Sequence, residues 1–512
     1  MNVADKLVEI LESNQITHIF GIPGDQILPM YEALSKSDIK HILTKHEQAA
    51  AHAADAFTRT SSSIGVCMAT AGPGALNMVM ATGAAYKDSI PILILTGDND
   101  VSERNTNIFQ GFPIQDIFSN IVQQSYAPLN GSEAVFALKA ALYELKHNPK
   151  GPIHINLSRD VLLSEDFAEY DLCYLPEKDM SSIDEAQKLI SNSKKPLFVL
   201  GAGAISEREK IQSIAEKYKI PITTTYNGRG IISEDNPINL GLLGIRSTPR
   251  SNKAFENTDC IIALGTIASR RTFPTLNEDI FIHVNNNADV LRGKYCLHCT
   301  VDDFLSEIEF KEVKWINNLL TINNEKIVEG INDDLKPQSA IKRILDCFSD
   351  DIIVADAGSH TTFATLLYKA RYHNHFLFPA ATAPMGYGLP AAVGAAVSTN
   401  ERIIVINGDG DFQMNIQELA TLKENNLNVI VFILNNDEYG IIRQWQEDMY
   451  DMGAYQVKLN NPDFVKLSSA YGIDAVSISN LSDLEYLLEN ELKGPLIVEI
   501  KVDKENIPLP GE

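Results

Sequence analysis

Two stretches decide the fold: Ile403-Ile-Val-Ile-Asn-Gly408-Asp409-Gly410-Asp411 and, further on, Val429-Ile-Val-Phe-Ile-Leu434-Asn-Asn436-Asp-Glu438. Each is a short unbroken apolar run closed by small and polar residues, the pattern of a strand buried on both faces. The residues between them, helical in spacing over 416–424, form the crossover of a βαβ unit. Asp409 and Asn436 then end neighbouring parallel strands and reach the carboxyl edge of the sheet, where open α/β sheets bind ligands. One carboxylate with one amide oxygen is a sparse set of hard donors. It suits Mg2+, which keeps water and takes its other ligands from phosphates. Gly408 and Gly410 let the backbone approach a diphosphate at the start of the following helix. An ordinary capped turn accounts for Gly-Asp-Gly alone, but not for the second half at this spacing.

The same alternation runs outward in both directions. Strands are expected at 352–355, 403–407, 429–434 and 496–500, with helices at 391–397 and 416–424. Upstream lie strands at 196–200, 220–224, 260–264 and 280–284. Before those come an amphipathic segment at 3–12, strands at 18–21, 64–68, 90–96 and 152–157, and a helix from Ile27. Polar stretches at 164–184 and 311–337 read as linkers. The expectation is an α/β protein of three doubly wound parallel-sheet domains, 1–165, 184–310 and 338–512. The 512 residues agree with a soft prior of about 150 per domain.

Composition narrows the function. With 43 Lys+Arg against 67 Asp+Glu the net charge is −24, which argues against tracking a nucleic-acid backbone. An anionic ligand stays compatible, because helix N-termini and a bound cation hold phosphate locally. No secretory signal or membrane span is expected, nor a disulfide framework, so the chain reads as cytoplasmic. Three look-alikes are set aside. Asn407, Asp409, Asp411 and Glu418 match an EF-hand spacing, but Phe412 replaces its glycine. Gly201-Ala-Gly203-Ala-Ile-Ser206 resembles a truncated dinucleotide fingerprint and reads better as a tight strand-to-helix turn. Cys296 and Cys299 form a lone CxxC, read as reduced thiols.

A second constellation, Lys45-His-Glu47-Gln, opens an Ala-rich helix. A glutamate there either complements the helix dipole or is buried for a purpose. Taken with Gly21-Ile22-Pro23-Gly-Asp25, Ala71-Gly-Pro-Gly74-Ala-Leu-Asn77, Ala85-Tyr-Lys-Asp-Ser-Ile-Pro91, Gly151-Pro-Ile-His and Met385-Gly-Tyr-Gly-Leu-Pro390, these motifs make the chain resemble, end to end, the thiamine-diphosphate-dependent enzymes of the acetolactate synthase, pyruvate oxidase and 2-oxoacid decarboxylase superfamily.

The resemblance implies a fold of pyrimidine-binding (PYR), central, and diphosphate-binding (PP) domains, with thiamine diphosphate and Mg2+ as cofactors. It implies that Glu47 hydrogen-bonds the aminopyrimidine, that Met385 props the bent coenzyme, and that the Ala383 carbonyl accepts from its amino group. Asp409, Asn436 and the Glu438 carbonyl become the Mg2+ ligands. His360, Asp411, Gly440, Gly74, Asn77 and the Ile22-Pro23 turn fall beside the coenzyme. Within the superfamily the details lean to acetolactate synthase, which decarboxylates pyruvate and condenses the hydroxyethyl carbanion with a second 2-oxo acid in branched-chain amino acid biosynthesis. Gln110 matches its substrate-side glutamine, Trp445 its second-substrate tryptophan, and Arg271 an arginine facing the acceptor carboxylate. The alternatives are a 2-oxoacid decarboxylase or pyruvate oxidase and, from another class, a non-catalytic subunit. The departures are Asp25 where acetolactate synthases carry glycine, Arg159 for a lysine, and Ile267-Ala-Ser-Arg-Arg271 for the flavin-associated stretch, which leaves FAD open. The resemblance also implies a homodimer or tetramer, and leaves a regulatory small subunit open.

Overall fold

The runs before Asp409 and Asn436 become adjacent central strands of one parallel sheet in the computed structural model, which describes every residue except 105, 148–149, 170–177, 325–327, 332–333 and 510–512. The N-terminal sheet contains β1 (His18–Gly21), β2 (Lys40–Leu43), β3 (Gly65–Ala69), β4 (Ile92–Asp98), β5 (Gln124–Tyr126) and β6 (Ile153–Ser158), in the order β2-β1-β3-β4-β6-β5. The central sheet contains β7 (Pro196–Leu200), β8 (Ile222–Thr224), β9 (Asn239–Leu242), β10 (Cys260–Leu264), β11 (Phe281–Asn285) and β12 (Tyr295–His298), in the order β12-β11-β10-β7-β8-β9. The C-terminal sheet contains β13 (Ile352–Ala355), β14 (Phe376–Leu377), β15 (Ile403–Gly408), β16 (Val429–Asn435), β17 (Asp474–Ile478) and β18 (Leu496–Lys501), in the order β14-β13-β15-β16-β18-β17. This is the expected architecture of three doubly wound parallel sheets. Counted within each sheet, the first and third share one winding, 2-1-3-4-6-5, whereas the central sheet runs 6-5-4-1-2-3.

The strands left out of the expected set, β2, β5, β9, β12, β14 and β17, are the six edge strands of the three sheets. An edge strand is covered on fewer sides and needs no long apolar run. By contrast β15 and β16 are buried throughout, in register from Ile403 opposite Val429 to Gly408 opposite Leu434.

The chain forms two units. One comprises Met1–Cys173, Ile331–Thr362 and Leu377–Asn506, the other Tyr174–Gly330, Phe363–Phe376 and Ile507–Glu512. In the first, the site-bearing helices are α1 (Glu47–Thr60), α2 (Val79–Asp88), α3 (Ser359–Leu367, whose first turn lies in this unit), α4 (Gly388–Thr399), α5 (Asp409–Phe412) and α6 (Gly440–Asp448). Helices α1 and α4 pack against each other through alanine and glycine, and one apolar core embraces both sheets. The approach is so close that a Cβ on Gly394 would stand 2.0 Å from the Ala53 carbonyl oxygen.

In the second unit, Val313, Trp315 and Leu319 are buried in the central core, and Trp315 Nε1 donates to the Pro196 carbonyl at 3.1 Å. That core therefore extends past residue 310 into the stretch expected as a linker. Parts of both expected linkers (170–177, 325–327, 332–333) lie outside the described residues. No helix among the described residues is long and apolar enough to cross a membrane.

Candidate cofactor site

The expected metal-side residues gather at the carboxyl edge of the C-terminal sheet. Strand β13 leads to one side of the sheet and β15 begins the other, so the turns after them flank the topological switch point. Asp409 follows β15 directly and is 2% exposed, and the Asp411 and Asp356 side chains are buried beside it. Asp356 accepts from Gly386 N–H at 3.0 Å and from Gly388 N–H at 2.7 Å. Asp411 turns inward as well: it accepts from Gly408 N–H at 2.8 Å and from Asn407 Nδ2, so its carboxylate shapes the turn.

Burial drives all three acids upward, Asp356 and Asp409 to about 6, and Asp411 also through the charge of Asp356. Among the described residues no lysine or arginine pairs with any of them. His360 is the nearest cationic candidate, with Nε2 3.6 Å from Asp411 Oδ2, but burial lowers its pKa to about 4 and keeps it neutral. Its Nε2 and the Asn407 Oδ1 have no hydrogen-bond partner among the described residues. Buried acids without a countercharge are costly, and a dication beside them offsets that cost.

Asn436 and Glu438 complete the expected set. Asn436 Oδ1 accepts from Glu438 N–H at 3.2 Å. The Glu438 carboxylate is engaged by Arg443 at 2.8 Å and Lys504 at 2.6 Å, which leaves the main-chain carbonyl as the residue's donor for an ion. That carbonyl already accepts from Gly440 N–H at 3.0 Å and keeps a second lone pair. Asn461, which no sequence motif singled out, places Nδ2 2.6 Å from Asp409 Oδ2, 2.9 Å from Asn435 Oδ1 and 3.0 Å from Asp437 Oδ1. Three oxygens thus converge on one amide nitrogen, an arrangement that also suits a hard cation. Among the described residues no group of three His, Cys, Asp or Glu side chains could hold a metal, so any ion here depends on amide and carbonyl oxygens. A Cβ on Gly440 would lie 3.2 Å from Ser359 Oγ, and one on Gly408 would lie 3.1 Å from His360 Nδ1. The starts of α3, α5 and α6 therefore adjoin, the kind of place where helix N-termini hold phosphate. These donors fit Mg2+ and a phosphorylated coenzyme.

The residues expected beside the aminopyrimidine gather near the switch point of the N-terminal sheet, between β1 and β3. Glu47 opens α1, half-buried, and accepts from Asn77 Nδ2 at 2.9 Å. The turn at Thr70–Gly72 and the short helix Pro73–Asn77 that follows it link the other expected residues. A Cβ on Gly74 would lie 3.3 Å from Glu47 Oε1, one on Gly72 would lie 2.8 Å from the Gln110 carbonyl oxygen, and one on Gly24, after the Ile22-Pro23 turn, would lie 2.4 Å from Thr70 Cβ. Two departures from the family meet here, since Arg159 Nη1 lies 3.6 Å from Asp25 Oδ2. No hydrogen bond or ion pair among the described residues joins Glu47 to the Asp409 group.

Ala383 and Met385 lie in the segment before α4, with Ala383 at φ 48°. Trp445 stands on α6, 41% exposed. Arg271 is in the other unit, after β10, exposed, and its carbonyl accepts from Ile245 N–H at 2.9 Å. In that unit the Gly201-Ala-Gly203 turn is a tight one. Gly201 and Gly203 N–H groups donate to the Leu264 and Gly265 carbonyls, so they offer no free phosphate cradle. The five cysteines among the described residues are free thiols, and Cys173 lies outside them.

The fold and these two sites define a thiamine pyrophosphate enzyme. Family profiles match most of the chain: the N-terminal TPP binding domain at residues 1–119, the central domain at 183–308 and the C-terminal TPP binding domain at 356–500. The chain belongs to the thiamine pyrophosphate enzyme family. It is similar to the acetolactate synthase large subunit of Cyanidium caldarium, 33% identical over 96% of this chain and 92% of that protein. It is also similar to the probable acetolactate synthase large subunit of Methanocaldococcus jannaschii, 33% identical over 98% and 92%. Acetolactate synthase isozyme 1 large subunit of Escherichia coli is 30% identical over 98% and 94%.

Proposed function

We propose that the protein is a thiamine-diphosphate- and Mg2+-dependent acetolactate synthase. It would decarboxylate pyruvate and join the remaining two-carbon unit to a second 2-oxo acid, in the service of branched-chain amino acid synthesis. The observation that carries the cofactor reading is the Asp356–Asp409–Asp411 group, buried with no lysine or arginine paired to it among the described residues, where the starts of α3, α5 and α6 adjoin. The assignment within the family is supported by the relatives above and by Gln110 and Trp445.

When bound, the thiazolium ring supplies a nucleophilic carbon and an electron sink for decarboxylation. Asp409, Asn436 and the Glu438 carbonyl would hold the metal, with Gly408, Gly410, Gly440, Asp411 and His360 lining the diphosphate. Glu47, held by Asn77, would keep the proton at the pyrimidine nitrogen. Met385 and the Ala383 carbonyl would fix the coenzyme's bend, while Gly74 and the Ile22-Pro23 turn bring backbone close to it. Gln110 would orient the first substrate. Arg271 would pair with the acceptor carboxylate, and Trp445 would shape the acceptor pocket toward 2-oxobutanoate. A homodimer in cytoplasm is part of this reading, with domains at 1–165, 184–310 and 338–512. A small regulatory subunit is compatible with relatives named large subunits. Flavin is not required by it.

Incubation with pyruvate, thiamine diphosphate and Mg2+, with and without 2-oxobutanoate, tests the proposal. Acetolactate is expected, together with a loss of at least about 100-fold in kcat for Glu47→Gln, the scale of a lost acid–base group. Acetaldehyde or acetate without acetolactate would instead favour the decarboxylase or oxidase. Absence of turnover in wild type and variant alike would favour a non-catalytic subunit.

A further inference from the structure

Two carboxylates, one guanidinium and one phenol lie buried between α1, α2 and the segment before α4, and the chemistry above uses none of them. Arg59 Nε donates to Asp55 Oδ1 at 2.7 Å, and its Nη2 donates to Asp88 Oδ2 at 2.9 Å. Tyr387 Oη donates to Asp55 Oδ1 at 2.9 Å, and the Ala381 N–H donates to Asp88 Oδ1 at 3.2 Å. All four side chains are buried, Arg59 being the most exposed at 8%. Burying such a group returns little net stability, because desolvation offsets the attraction.

What the group holds is specific. Two of its bonds fall on residues 381 and 387, the two ends of the segment carrying Ala383 and Met385. Inside that segment Ala383 has φ 48° and Gly386 φ 91°. The left-handed region is unfavourable for alanine and persists only when the surroundings impose it. Asp356 grips the same segment from the sheet side through Gly386 N–H.

We infer that Arg59, bridging Asp55 and Asp88, clamps both ends of the Ala381–Tyr387 segment and so presents the Ala383 carbonyl and Met385 to the coenzyme. Arg59, Asp55, Asp88 and Tyr387 are positioning residues, since they act through that segment. The inference rests on the reading that Ala383 and Met385 contact the coenzyme.

Tyr387→Phe removes one oxygen and keeps the ring, which packs edge-on against His52 at 5.2 Å between centroids. Asp88→Asn weakens the other end. Ser398→Ala is the control: it breaks another α1–α4 contact, Thr60 Oγ1 to Ser398 Oγ, that does not reach the segment. Amide exchange at Thr382, Ala383, Met385 and Gly386 is measured on the coenzyme-free chain, and thiamine diphosphate affinity by calorimetry in Mg2+ buffer.

Tyr387→Phe and Asp88→Asn are expected to speed exchange and weaken coenzyme binding by about tenfold each, the scale of one lost charge-assisted hydrogen bond. The KM for pyruvate at saturating coenzyme should stay unmoved, and Ser398→Ala should change neither readout. Wild-type uptake of coenzyme that Tyr387→Phe leaves unaltered, with unaltered exchange, overturns the clamp alone, as does an equal effect of Ser398→Ala. A wild-type chain that takes up no coenzyme overturns the functional reading and the clamp with it.

Discussion

Asn461 donates to Asp409, Asn435 and Asp437 from a loop well beyond the sequence motif. It restrains the acid expected to bind Mg2+, much as outer-shell partners restrain metal ligands elsewhere. Asn461→Ala should weaken Mg2+ binding by about tenfold or more while leaving the pyruvate KM unchanged, measured by titrating metal into the coenzyme-saturated protein. Unaltered metal affinity would remove Asn461 from the site. Asp409 and Asn436 were legible beforehand because strand ends fix where their backbones emerge. Asn461 was not, because only tertiary folding brings its loop back to the sheet edge. Asp411 shows the converse: it sits inside the motif, yet its carboxylate is spent on Gly408 and Asn407.

At the scale of elements, the start of α1 depends on an acid from beyond α5. Lys45 N–H donates to Glu418 Oε1 at 2.9 Å, Thr421 Oγ1 donates to Oε2 at 2.6 Å, and the Lys45 ammonium pairs with Glu424 at 2.6 Å. Glu418 is fully buried, and burial lifts its pKa to about 7 against the opposing pull of these hydrogen bonds and of Lys45. An acid that holds its proton more tightly when folded stabilises the fold fully below its unfolded pKa of about 4.3, and that contribution fades as pH rises through about 7. Wild-type stability should therefore fall between about pH 5 and about pH 8, by up to about 3 kcal/mol from this group. Glu418→Gln should flatten that slope in urea melts, and parallel slopes would refute the assignment. Sequence reading set Glu418 aside with the EF-hand look-alike, and spacing carries no sign of its bond to Lys45. The buried strands were legible for the opposite reason, since apolar runs such as 429–434 need no partner to be recognised.

At the scale of the whole molecule, the N- and C-terminal sheets wind identically, and each carries its expected chemistry at its own switch point. Glu47 belongs to one and Asp409 to the other, with no hydrogen bond or ion pair between them among the described residues. If the coenzyme spans two subunits, Glu47→Gln and Asp409→Asn chains, each inactive alone, should complement when unfolded and refolded together. Random pairing makes half the dimers mixed, each with one intact site of two, so about a quarter of wild-type activity is expected. Activity that stays at the level of the separate variants would show that each chain completes its own site.

The contact of Gly394 with the Ala53 carbonyl has a mechanical meaning. Where two helices meet main chain to main chain, no rotamer is left to turn and no methylene to slide, so the seam cannot breathe by degrees. It serves as a fixed datum for the two sheets it joins, and whatever slack admits substrate and releases product must be found in the loops at their edges.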